Sequence, residues 1–512
     1  MATLTLRSPA GKWVMVSAIM ASAMAFIDST ALNVVLPSLQ ESLNASGTDL
    51  FWVLNAYLLM LAALILIGGS LGDRLGRKKV FMYGIFVFIT GSAACGFAWN
   101  VDILVVFRVL QGIGGALMIP GSLSLISSSI REEEKGRAIG TWSAFTTMVT
   151  IGGPVLGGAL GDAGLWRYIF FINIPFGMVA LLILWRRVQE SRDENSGGAI
   201  DYPGAATIAL GLGLLTFGFL RIPAIGLYNW QVCGSLITGL LSLIAFLVIE
   251  RKSKHAMMPL TLFKNLTFAG VNLLTLFLYA GLGAGMLFLS LNLVQVQGYS
   301  QLQSGLTFLP FTVLMVSVAR FAGSLSDRHG PRLMLIGGPA TAGTGLLILS
   351  FIKQTSGPEA YWTTFFPGIF IFGLGMSFTV TPLTTTVMAA VNEQFSGMAS
   401  GVNNAVSRIA GVFANAVFGA LAILFFSGAL QDQLKQAPLS NQNQQLVMSQ
   451  VPNLGNAKVP MALRQHDRQL VKQIYHAGFI AAYARIMRIA TGLCFLGALM
   501  AYFFIKRGQL NL

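Results

Sequence analysis

The sequence has 512 residues, 54% hydrophobic and 10% charged, with a mean hydropathy of +0.70. Soluble domains carry about 25% charged residues, so the composition excludes a water-soluble globular chain and points to an integral membrane protein. The net charge of +14 would favour nucleic acid as a partner in a soluble protein, but here the positive residues gather in particular loops, and no nucleic acid is expected.

Apolar stretches of about 20 residues, enough to cross a ~30 Å hydrocarbon core, recur from end to end. They fall near 13–36, 52–71, 80–98, 103–125, 138–160, 168–187, 203–221, 231–250, 267–294, 304–325, 333–352, 361–388, 398–427 and 477–505, about fourteen in all. The first opens with MATLTLRSPAGKWVMVSAIMASAMA, whose basic lead and A-x-A-like end resemble a secretory signal. Its apolar character continues through Asp28 to Leu36, however, so a retained membrane helix is expected. Lipid-exposed backbone must satisfy its own hydrogen bonds, so the spans are read as α-helices; barrel strands would be about ten residues long and alternating.

Connections from odd to even spans are poor in charge: ESLNASGTD, AWNVD, GDAGLWR and 298–303. Connections from even to odd spans are rich. They carry Arg74, Arg77, Lys78 and Lys79; Arg131, Lys135 and Arg137; Arg186, Arg187 and Arg192; Arg251, Lys252 and Lys254; and Arg328 and Arg332. The positive-inside rule puts these loops and both termini on the cytoplasmic side, with only Arg167, Arg221 and Lys353 opposing it in short outer loops.

The run GGSLGDRLGRKK at 68–79 has a weaker copy, AGSLSDRHGPRL, at 322–333. Asp73 and Asp327, Arg74 and Arg328, and Gly76 and Gly330 match at one offset of about 254 residues. Any tight turn between membrane helices favours Gly, Asp and Arg. Two copies in register point further, to the duplicated bundle on which secondary transporters are built. The offset exceeds what six helices need. The expected fold is thus all-α integral membrane: a six-helix bundle over 1–190, an inserted helix pair over 191–262 opened by IDYPG, and a second six-helix bundle over 263–512. The polar stretch at about 428–476 forms a long outer loop, either disordered or folded as a short amphipathic hairpin over the outer face.

Cys95, Cys233 and Cys494 lie in apolar segments and give neither a disulfide framework nor metal spacing, and the four histidines are dispersed. No G-x-x-x-x-G-K-[ST] phosphate loop and no Ser/His/Asp cluster occurs, which argues against an ATP-driven pump or an enzyme.

Of the 19 Asp and Glu residues, Asp28 alone sits deep within a span. A lone carboxylate in hydrocarbon is costly when charged, so Asp28 is expected to face a cavity and to serve a function there. An acid whose surroundings change with conformation can load and release a proton; the alternative is a polar anchor tying the first helix to its neighbour. Arg108 is its natural partner. Counting residues at about 1.5 Å each puts Arg108 roughly 9 Å and Asp28 roughly 12 Å below the outer surface, close enough for a direct or water-bridged contact. Gln111, Gly112 and Gly115 share Arg108's helix face, and Arg408 lies near the midplane of the thirteenth span. With one deep carboxylate against two arginines, the cavity reads as neutral to positive, which suits anionic, weakly acidic or neutral amphiphiles. Gly153, Gly157 and Gly161 recur every fourth residue, a face on which two helix backbones can approach closely, while Pro154 removes an intrahelical bond. In the 68–79 turn, Gly69 and Gly72 allow close helix contact, and Asp73 is placed to pair with an Arg or to cap a helix across the halves, as a cytoplasmic latch.

Several of these motifs carry a family resemblance. Gly69-x-Leu71-x-Asp73-Arg74-x-Gly76-Arg77-Lys78 resembles the major facilitator superfamily signature between helices 2 and 3. Asp28-Ser29-Thr30-Ala31-Leu32-Asn33-Val34-Val35-Leu36-Pro37 is similar to the first-helix motif of its fourteen-helix drug:proton antiporter branch, and Arg108-Val109-Leu110-Gln111-Gly112-Ile113-Gly114-Gly115 to the fourth-helix motif. Gly153-Pro154-Val155-Leu156-Gly157-Gly158 resembles the fifth-helix antiporter motif, although Val149 stands where a leading Gly is usual; Asn404–Ala416 resembles the thirteenth helix. The resemblance implies proton-coupled export of small amphiphilic compounds or drugs by alternating access, energised by the proton gradient without a cofactor. It also implies a multi-pass protein of a bacterial inner membrane, in contact with lipid, whose 68–79 turn gates motion and binds no substrate. A periplasmic adaptor protein is a further implied partner, although no docking motif is visible. The competing readings are a proton-coupled nutrient symporter, against which the Gly153–Gly158 element counts, a lipid translocator, and a non-transporting receptor or complex subunit.

Overall fold

A computed structural model describes residues 4–191, 201–253, 256–392 and 395–505; Arg192 and Lys254 of the basic loops lie outside them. Fourteen helices among the described residues are long and apolar enough to cross a membrane. They are α1 (Pro9–Ser42), α2 (Gly47–Leu75), α3 (Arg77–Phe97), α4 (Val101–Ser129), α5 (Glu132–Asp162), α6 (Tyr168–Arg187) and α7 (Tyr202–Ile225). Then follow α8 (Trp230–Lys252), α9 (Leu266–Gln295), α10 in two pieces (Gln301–Thr307 and Leu309–His329), α11 (Pro331–Leu349), α12 (Phe365–Ala389), α13 (Ser396–Leu434) and α14 (Gln465–Phe504).

Many helix starts are written into the sequence as a short polar residue ahead of an apolar run. Ser8 accepts from Gly11 N with Pro9 as the first helical residue, and Ser46 and Asp49 form a reciprocal capping box at α2. Asn100 caps α4, Asp201 caps α7, and Ser300 with Gln303 forms a second capping box at α10. At the other end of α4, Leu4 N donates to the Ser129 carbonyl and Arg131 N to the Leu4 carbonyl, so the N-terminal segment lies at the same end as the basic 131–137 connection.

The first six helices and the last six repeat one pattern of neighbours. Helix α4 packs along α2 and α3, and α1 along α5 and α6; correspondingly α12 packs along α10 and α11, and α9 along α13 and α14. Between the two sets, α2 lies on α13 and α5 on α10. Helices α7 and α8 pack on each other, and α7 rests against both α2 and α13.

The polar stretch at 428–476 is folded, as a helix and a 3-10 turn in place of a simple hairpin. Helix α13 runs on to Leu434 and α14 starts at Gln465; between them stand a helix at Asn441–Met448 and a 3-10 turn at Val451–Asn456. Val447 and Leu454 are buried among the polar residues, and Tyr475 donates from its hydroxyl to the Val447 carbonyl at 3.1 Å. A few apolar anchors therefore hold a short polar cap in place. The ends of α1 also differ, since it continues past the apolar run to Ser42.

Candidate functional site

Packing of α1 against α4 brings Asp28, Arg108 and Gln111 together. Arg108 Nη1 donates to Asp28 Oδ2 at 2.5 Å and to Gln111 Oε1 at 2.8 Å, and Gln111 Nε2 donates to Asp28 Oδ1 at 2.9 Å. The three side chains close a ring in which both carboxylate oxygens are occupied. Arg108 Nε donates to the Val53 carbonyl of α2 at 3.2 Å, and its guanidinium carbon stands 4.5 Å from the Tyr57 ring centroid and 5.9 Å from that of Phe170. Gly112 permits the close packing: a Cβ there would stand 2.6 Å from the Tyr57 carbonyl oxygen, and one on Gly115 would face the Tyr57 ring.

The expectation that Asp28 faces a cavity is corrected. Asp28 and Gln111 are 0% exposed and Arg108 is 1% exposed, so the ring is closed to solvent in this conformation. Aromatic faces cover the guanidinium, and the hydrogen bonds from Gln111 and to Val53 replace the water that an ion pair loses on burial. Arg408 does not join the ring. It is half-buried on α13, and its Nε is buried without a hydrogen-bond partner.

At the end of the bundle opposite the 131–137 connection the two helix sets are tied together. Asp162, the last residue of α5, accepts from Ser300 Oγ at 2.7 Å, Gln301 N at 2.7 Å and Leu302 N at 3.0 Å, capping α10 across the seam. Gln301 Nε2 donates to Ser38 Oγ of α1, and Ser290 Oγ to the Asn33 carbonyl. Glycines on the two sides interlock. A Cβ on Gly158 would stand 2.6 Å from Leu302 Cα, and one on Gly305 would stand 2.7 Å from the Pro154 carbonyl carbon. Gly157 serves the neighbouring face, against the Ala31 carbonyl of α1, and Gly153 lies against Thr30. The 441–456 cap completes the closure. Gln40 of α1 donates to the Asn453 carbonyl at 3.4 Å and accepts from Gln295 of α9 at 3.3 Å and from Asn456 at 3.4 Å.

In the 68–79 turn, Gly76 has φ of 109° and Gly330 of the second copy has φ of 80°; both occupy the left-handed region that glycine tolerates and end one helix as the next begins. Glu190 lies over Gly76 and accepts from Lys78 N at 2.9 Å and Lys79 N at 3.1 Å, capping α3 from the far end of α6. Arg74 and Arg77 are engaged in interactions and Arg328 is exposed; the side chains of Asp73 and Asp327 lie outside the described residues. Gly69 and Gly72 are not the tight positions of this turn, since a Cβ on either would find only ordinary contact, at 3.8 and 3.9 Å. The tight one is Gly68, where a Cβ would stand 2.9 Å from the Ala116 carbonyl carbon.

Sequence reasoning missed Tyr57, Glu190, Gly68, and the pairing of Asp162 with Gln301. The Ser300–Gln303 capping box did mark the helix start that Asp162 reinforces, but a cap supplied from 138 residues away leaves no local pattern.

These features define an all-helical, multi-pass membrane protein of the transporter kind, with a buried acid–guanidinium ring in its first helix set. The sequence profile of the Major Facilitator Superfamily matches residues 18–415, and the chain belongs to that superfamily. It is 33% identical to "Multidrug resistance protein Stp" of Mycobacterium tuberculosis over 81% of this chain and 76% of that one. It is 28% identical to the "Tetracenomycin C resistance and export protein" of Streptomyces glaucescens, over 94% and 89% respectively. Among solved structures, a bacterial homologue of the human lysosomal transporter Spinster shares the fold, with a TM-score of 0.68 and 19% identity over 99% of this chain and 100% of that one.

Proposed function

We propose that the chain exports small amphiphilic compounds in exchange for protons, by alternating access. The observation that carries proton coupling is the ring of Asp28, Arg108 and Gln111. A proton on Asp28 Oδ2 removes the acceptor that holds Arg108 Nη1 and cancels one charge of the pair. The guanidinium, left without its counter-ion in a dry site, is then more stable wherever helix movement lets water reach it. Protonation and opening are in this way linked, each favouring the other. Export of drug-like compounds is supported by the names of the two relatives. Arg408, with its buried and unpartnered Nε, is the residue we assign to the polar end of the substrate, and it suits an acidic or neutral group better than a cation.

In this reading residues 1–190 and 263–512 move as two lobes, with 191–262 as an accessory pair at their seam. Gly69, Asp73, Arg74, Gly76 and Arg77, with Asp327 and Arg328 in the second copy, form the inner gate. Gly153, Pro154, Gly157 and Gly158 form the sliding face of α5. The protein sits in a bacterial inner membrane with both termini cytoplasmic and draws on the proton gradient without a cofactor, and a periplasmic adaptor is the protein partner that the family resemblance implies.

The test is proton release from the purified protein in weakly buffered detergent, on addition of a panel of anionic, neutral and cationic amphiphiles. Wild-type protein is expected to release protons with at least one anionic or neutral compound, and Asp28→Asn with none. Full pH-gradient-driven export by Asp28→Asn in vesicles would exclude the assigned role.

A further inference from the structure

Outside the seam, α3 and α6 leave an apolar groove between them on the membrane-facing side, with a volume of about 950 Å³. Met82, Tyr83 and Phe86 of α3 and Leu182 and Trp185 of α6 line it, and one charged residue, Lys79, closes its end. The volume is that of a small-molecule site. Its walls are not spare core surface, because Tyr83 is 66% and Trp185 65% exposed.

The closed end carries a concentration of cations. Lys78 Nζ reaches the Trp185 carbonyl at 3.5 Å, and the Arg186 guanidinium carbon stands 5.6 Å from the Trp185 ring centroid. Arg187 follows on the same helix end and is exposed. The nearby acid, Glu190, offsets only one of the charges of Lys78, Lys79, Arg186 and Arg187. Both Glu190 oxygens are spent on backbone amides, those of Lys78, Lys79 and Ser191, and no carboxylate pairs with the Lys79 ammonium among the described residues. The groove thus presents an apolar trough within the membrane, an aromatic belt residue at its mouth, and an excess of positive charge at headgroup level.

We infer that this groove is a binding site for one anionic phospholipid, with an acyl chain along Tyr83, Phe86 and Leu182 and the phosphate against Lys79 and Arg186. The occupant is a lipid of the leaflet that meets this end of α3. A zwitterionic lipid fills the trough equally well but gains less from the rim, because each basic residue near a surface favours an anionic headgroup by about fivefold. The site does not depend on what the protein transports or in which direction.

Trp185 supplies the probe. Full-length protein is placed in phosphatidylcholine nanodiscs that contain increasing fractions of phosphatidylglycerol or phosphatidylcholine with brominated acyl chains. The signal of Trp185 is taken as wild type minus Trp185→Phe. Half-quenching is expected at a mole fraction of brominated phosphatidylglycerol about fivefold or more below that of brominated phosphatidylcholine. In the Lys79→Gln/Arg186→Gln variant the two curves should coincide, with the phosphatidylcholine curve unmoved, which also verifies that the groove is intact. Coincident curves in the wild type would reduce the groove to ordinary lipid contact and overturn the proposal. A preference that survives the double substitution would overturn it as well, and quenching by neither lipid would mean that a protein segment covers the groove.

Discussion

At the scale of single residues, the ring around Asp28 is the most consequential arrangement in the molecule, and its energetics can be separated by a double-substitution cycle. Removing one partner of a buried ion pair leaves an uncompensated charge, at a cost of about 3–5 kcal/mol. Arg108→Gln is therefore expected to lower the thermal unfolding midpoint in detergent sharply. Adding Asp28→Asn removes the orphaned carboxylate and should restore most of the loss; additive losses would mean that the two side chains do not act as a pair. The pair itself was legible in the sequence because an acid and an arginine at similar depth in otherwise apolar spans have few other partners. The rest of the ring's support was not. Val53 contributes a backbone carbonyl and Tyr57 an aromatic face, and neither role has a residue-type signature. Helix α1 runs to Ser42, so Asp28 lies further from its end than the apolar run alone indicates.

At the scale of elements, small residues decide which surfaces of α5 can slide. Gly157 faces α1 within the first helix set, whereas Gly158 faces α10 across the seam. The repeat of glycine was visible in the sequence, but adjacent glycines serving different neighbours was not, because periodicity identifies a face without saying what it meets. The distinction has a measurable consequence. Gly158→Leu would drive its side chain into the backbone of Gln301 and Leu302, and overpacking of this kind costs about 1–3 kcal/mol. The cost falls on the closed state, so the ratio of closed to open protein should drop at least about fivefold. Labelling of Ser290→Cys by an impermeant maleimide, in a Cys233→Ser background, should accelerate accordingly, because Ser290 is buried beside the Asn33 carbonyl only while the outer end is shut. An unchanged labelling rate would show that Gly158 does not bear on closure. The 441–456 cap illustrates the same limit of sequence reading. Its composition is polar and its apolar anchors too few for a periodic signal, so only its hydrogen bonds with Gln40 and the close approach of Gly455 to Gln295 reveal that it spans both helix sets.

At the scale of the whole molecule, the repeated neighbour pattern was foreshadowed by one duplicated turn, and the fourteen spans by hydropathy alone. The conformation adopted was not foreshadowed, because both mouths of a two-lobed carrier use the same kinds of contact. The ends of the helix sets away from the 131–137 connection are closed by Asp162, Ser38, Gln301 and Gln40, acting from three different helices, α5, α1 and α10. If transport requires these ends to part, a covalent tie across them must stop it at a single stage. Ser38 and Gln301 are the pair for this purpose, since their side chains already meet and neither belongs to the Asp28 ring. In a Ser38→Cys/Gln301→Cys protein, a short bis-methanethiosulfonate linker should abolish substrate uptake into inside-out vesicles, the export direction in that orientation, and a reductant should restore it. Asp28→Asn carrying the same pair should cross-link as readily, since the tie reports closure and not proton loading. Export that continues undiminished through quantitative cross-linking would mean that substrate leaves without parting the α1–α10 seam, and the rocking of two lobes would have to give way to a lateral exit.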